Sequence, residues 1–152
     1  MLGLAAVLFL AFGSDELPQG LDGPGRFCGF APIIDLVAGE RIQPLENGIH
    51  SGRFRWEGSF GTLDVRGIGW ASKPPGKARP GRTSASQILF GPRHERNGYV
   101  VAIWNGRNGS AYFHSPTRFT PAQLSAVQRV SLFDERGPKP ENCKLSTIFV
   151  WE

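Results

Sequence analysis

Glu57, His114 and Arg55 are the residues that could do chemistry in this chain. A carboxylate can take a proton, an imidazole can give one, and a guanidinium can hold an anionic group beside them. That trio would serve a small hydrolase of a phosphodiester or other anionic polymer. No local motif ties the three together, however. Gly58-Ser59-Phe60-Gly61 lacks the spacing of a nucleophile elbow. His50, His94 and His114 match no metal-ligand spacing, so neither a metal nor another cofactor is implied.

A second set is purely cationic. Lys73, Lys77, Arg79 and Arg82 lie in a Pro- and Gly-rich stretch over 72–86 that holds no acid, and Arg93 and Arg96 follow in PRHERNG. Within it, GKARPGRT differs by one residue from a phosphate-binding loop. Arg82 stands where that loop needs Lys, Pro80 removes a backbone N–H, and a strand-like QILF follows where a helix is required. A nucleotide site is therefore not expected. No aromatic residue interleaves with the charges to stack bases, which disfavours nucleic acid. The field is nonetheless strong: 53–118 carries eleven Lys and Arg against Glu57, Asp64 and Glu95, while the whole chain is only +4. Such a surface suits an acidic protein or an anionic polymer.

The elements that must position these side chains are mostly strands. Phe54 and Trp56 alternate with charged residues, as do Leu63 and Val65. A loop at 58–61 sets Trp56 opposite Leu63, Phe54 opposite Val65 and Arg55 opposite Asp64 in one register. The apolar parity then shifts to Ile68 and Trp70, which predicts a bulge at Gly67. PIIDLV reads as a strand, with a helix of one or two turns as the alternative; QILF, YVVAIW and SAYFHS read as further strands, with YVVAIW covered on both faces and His114 opposite Val100. PRHERNG, 92–98, reads as a charged turn. Leu145, Phe149 and Trp151 share a face of a last strand.

One helix is expected at 121–133. Thr120 and Gln123 make a capping box, Pro121 fits the first turn, and Ala126, Val127, Val130 and Phe133 recur at helical spacing. Small secreted enzymes that cleave RNA with a Glu–His–Arg set place their helix before the sheet. The late helix here favours a binding module over an enzyme.

The chain opens with an apolar run over 2–12 that is too short to span a bilayer but suits an export signal. The expected organisation is a signal at 1–13, a flexible leader at 14–26, and one α+β domain at 27–152 with about six or seven mainly antiparallel strands. Export to the periplasm or outside the cell makes Cys28 and Cys143 a disulfide rather than two thiols. The mature chain should have no transmembrane span. The reading as a whole is an exported interaction module of inhibitor, immunity or envelope-associated type.

Overall fold

Alternating apolar residues drive this chain into two sheets that close on each other. The computed structural model describes residues 19–70, 73–82 and 87–148, with the backbone alone for 80–82. Among them, the elements in order are β1 (Leu21–Asp22), β2 (Gly25–Cys28), β3 (Pro32–Leu36), β4 (Arg41–Asn47), β5 (Ser51–Gly58), β6 (Gly61–Ile68), β7 (Ala78–Arg82), β8 (Ile88–Glu95), β9 (Gly98–Trp104), β10 (Ser110–Ser115), α1 (Pro121–Gln128), β11 (Ser131–Leu132) and β12 (Cys143–Ser146). The larger sheet runs β1-β4-β5-β6-β10-β9-β8-β7, and the smaller runs β11-β3-β2-β12. Pairing is antiparallel throughout except between β2 and β12. The result is a small, mainly antiparallel α+β fold.

The β5–β6 hairpin has the register its alternation predicts. Trp56 pairs with Leu63, Phe54 with Val65 and Arg55 with Asp64, closed by Gly58 opposite Gly61. The inward face supplies Phe54, Trp56, Leu63 and Val65 to a core completed by Phe27, Ile34, Leu36, Val101, Ile103 and Phe113. Each such side chain contributes about 2–3 kcal/mol by leaving water. Cys28 and Cys143 form a disulfide with Cα atoms 5.7 Å apart, tying β2 to β12.

The bulge expected at Gly67 is absent. Gly67 pairs in unbroken register with Gly52 on one side and Ala111 on the other. The inward parity continues through Gly67 and Gly69 because the chain at Phe30 and Pro32 crosses the sheet there. A Cβ on Gly67 would sit 1.8 Å from the Phe30 carbonyl oxygen. Ile68 and Trp70 point outward instead.

Four other expectations are revised. Strand pairing begins at Leu21, inside the leader assigned to 14–26, because β1 adds to β4 and β2 builds the second sheet. The helix stops at Gln128, since Ser131 and Leu132 pair with Ile33 and Pro32 of β3 rather than continuing the coil. Its capping box is present as expected: Gln123 N donates to Thr120 Oγ1 at 3.2 Å, and Thr120 N donates to Gln123 Oε1 at 3.0 Å. The segment 92–98 is not all turn, because β8 continues past a register shift as far as Glu95. The strand count also exceeds six or seven, since short segments at both ends of the described chain build a separate sheet. The expected signal at 1–13, residues 83–86, and Phe149 and Trp151 lie outside the described residues.

Arg129, the C-cap of α1, fixes the helix to the β3–β4 corner. Its guanidinium donates to buried Glu40 and to the Asp35 carbonyl oxygen at 3.1 Å, and lies over the Trp56 ring at 5.5 Å. Glu40 also accepts from Trp56 Nε1 at 3.3 Å. Nothing in the local sequence pattern announces this cluster.

Candidate functional site

The outward face of the larger sheet carries the charges, and cross-strand registry lines them up. Gln43, Arg55, Asp64, His114, Val100 and Arg93 form one continuous row across β4, β5, β6, β10, β9 and β8. The neighbouring row runs Arg53, Arg66, Tyr112, Ala102 and Phe90. Directly opposed side chains on a sheet stand within interaction distance of one another.

Glu57, His114 and Arg55, distant in sequence, therefore meet. With Asp64, Thr62, Gly61 and the strap over 115–117 they line an open depression of about 600 Å³, floored by β5, β6 and β10. Gln123 of the helix N-terminal turn forms part of its wall. The Arg55 guanidinium lies 4.0 Å from Asp64 Oδ1, and that buried oxygen accepts no hydrogen bond from a described residue. Burial holds the His114 pKa below its ordinary value. Glu95 and Asp64 oppose that shift, and Arg66 and Arg53 add to it. At neutral pH the imidazole is thus uncharged, which counts against the proton-donor role expected for it.

The cationic set is divided by the fold. Lys73 Nζ lies 6.0 Å from the centroid of Phe90, on the outward face, and Pro74 beside it is buried. Lys77 is exposed and precedes β7, while Arg79 and Arg82 belong to that edge strand. The stretch read as a loop over 72–86 is thus partly a strand, because Ala78 and Arg79 pair with Phe90 and Leu89. GKARPGRT accordingly leads from a turn at Gly76 into an edge strand. Arg93 sits in the charged row and is ion-paired to Glu95, whereas Arg96 occupies the exposed β8–β9 turn.

Arg53 and Arg66 were not singled out from the sequence, yet they stand directly opposite each other. Like charges so placed are destabilising. Arg53 is compensated by Glu46 at 2.9 Å, but Arg66 has no acidic partner among the described residues. Alternation along β5 and β6 already implied that both point outward, so the hairpin register alone could have located the pair.

Among the described residues, no group of three His, Cys, Asp or Glu side chains is placed to hold a metal ion. No described helix is long and apolar enough to cross a membrane. The chain matches no protein-family model, no curated protein and no solved structure.

Proposed function

We propose that this is an exported interaction module whose larger sheet presents a cationic face to an acidic protein or an anionic polymer. The observation that carries the reading is the opposed pair Arg53 and Arg66, extended across the same face by Lys73 and Arg93. An anionic group seated between the two arginines would relieve a repulsion that the fold otherwise sustains. The disulfide supports export, because such bonds persist in oxidising compartments.

The test separates position from net charge. Retention on immobilised polyglutamate and polyphosphate is measured against salt for the protein, for Arg66→Gln/Lys73→Gln, and for Lys139→Gln/Lys144→Gln. The first variant should elute at lower salt and show a flatter salt dependence than the second. Equal behaviour of the two variants would remove the sheet face as the site.

The rival reading, a secreted hydrolase of an anionic polymer, is favoured by one observation: Glu57, His114 and Arg55 line a single depression. In it Arg55 would hold the anionic group and the Glu57 carboxylate would accept a proton, with His114 beside them. Hydrolysis of RNA or peptidoglycan that disappears in Glu57→Ala/His114→Ala would establish this reading over simple binding.

A further inference from the structure

The other end of β6 carries a site built differently. Trp70 is 73% exposed, yet its backbone takes the left-handed conformation, with φ +57°. A bulky residue adopts that conformation only at an energetic cost, and here burial does not repay it. The indole is held in place all the same. Its Nε1 donates to Glu135 Oε2, and the His50 ring lies against it with centroids 5.0 Å apart and planes 31° from parallel. His50 Nδ1 in turn contacts Glu135 Oε1 at 3.3 Å, and Phe30 abuts His50 edge-on at 6.0 Å. Gly69 makes this stack possible, since a Cβ there would strike the Phe30 ring at 2.5 Å.

Trp70, Asn108, Glu135 and Arg136 line an open pocket of about 430 Å³. These residues come from the end of β6, the β9–β10 turn and the segment after β11. The indole is therefore an ordered apolar platform, strained and exposed, with hydrogen-bonding groups of both kinds at its rim. Asn108 and Arg136 can donate, and Asn108 and Glu135 can accept.

That combination selects among ligands. A cation would meet Arg136, and an anion would meet Glu135. A folded protein partner would need a wider apolar area than Trp70 and Ile49 provide; Ile49 is 62% exposed. What remains is a neutral ring with an apolar face and an edge of hydroxyls that both donate and accept. We propose that this pocket binds one ring of a saccharide, stacked on Trp70, with its hydroxyls held by Asn108, Glu135 and Arg136. This site is distinct from the cationic sheet face: Arg66 precedes Trp70 by four residues, roughly 13 Å at about 3.3 Å per residue, and the pocket is lined by Trp70, Asn108, Glu135 and Arg136.

The indole N–H resonance of Trp70, assigned by its loss in Trp70→Gly, is followed by NMR while chitotetraose, cellotetraose, maltotetraose or an eight-residue thymidine oligonucleotide is added. The expected result is a saturable shift with at least one of the sugars. Calorimetry should show that binding roughly tenfold weaker or more in Trp70→Gly, the scale of a lost aromatic hot spot. The melting temperature of that variant should not fall, because glycine accepts a positive φ freely. Arg136→Ala should weaken the same sugar without altering the fold. No shift with any sugar, or a shift with the oligonucleotide alone, would overturn the proposal. So would a Trp70→Gly protein that melts lower yet binds the sugar unchanged.

Discussion

His114 shows how one residue reports on the face around it. Burial pushes its pKa below the ordinary 6.5, so the folded protein binds a proton less readily than the unfolded chain. In the window between the folded value and 6.5 the unfolded state therefore carries more protons, and stability rises with pH. The contribution should be complete above 6.5 and decline as pH drops through that value toward the folded pKa. Denaturant unfolding across this range should show a slope that flattens in His114→Gln; an unchanged slope would mean burial is not its source. Asp35 behaves differently. The hydrogen bond from Arg26, at 2.7 Å, holds its carboxyl below the usual range, so this contribution is present above 3.8 and lost only in stronger acid. Arg26 and Asp35 are both well exposed, which keeps the effect small.

At the scale of elements, the hairpin and the helix start were legible because each carries its own local signal. Period-two alternation with a four-residue loop admits one register that satisfies both the apolar face and the Arg55–Asp64 pair, and that register is observed. Thr120 and Gln123 cap the helix through side chains three residues apart, information that is wholly local. The helix end was not legible, because Val130 fits a helical stripe yet Ser131 and Leu132 are recruited by β3, almost a hundred positions away. Gly67 misled for the same reason. Its neighbour is the Phe30 backbone, which no pattern along β6 can reveal. Gly67→Ala should therefore cost about 1–3 kcal/mol or more, since the obstructing atoms are main chain and cannot swing aside. Thermal unfolding would measure it, and a variant as stable as the parent would contradict the close approach. The candidate site was legible only as parts. Glu57, Arg55 and His114 could be named, but their meeting depends on β10 pairing with β6 after three strands have intervened. The Trp70 pocket was not legible at all, because its residues come from turns and strand ends that only the fold brings together.

At the scale of the whole molecule, the Cys28–Cys143 bond spans 115 positions and joins the two strands that pair in parallel. A closure of that length removes entropy from the unfolded chain worth about 4–5 kcal/mol, on a loop-closure account. Cys28→Ser/Cys143→Ser should lower the denaturation midpoint accordingly, and reductant should do the same to the parent protein. A midpoint insensitive to both would show that the second sheet is held by its core alone. Among the described residues the larger sheet, in contrast, is open, and its two ends are finished in different ways. At one end β1 is only two residues long. At the other, β7 is longer and brings Arg79, Pro80 and Arg82, with Lys77 just before it. A row of unpaired backbone groups invites a neighbouring chain to add a strand, and positive charge with a proline that lacks an N–H discourages it. The same residues that resemble a phosphate loop by letter thus carry features that discourage such pairing. Neutralising Lys77 and Arg79 would then expose a template for aggregation, to be read as loss of monodispersity in light scattering before any loss of partner capture.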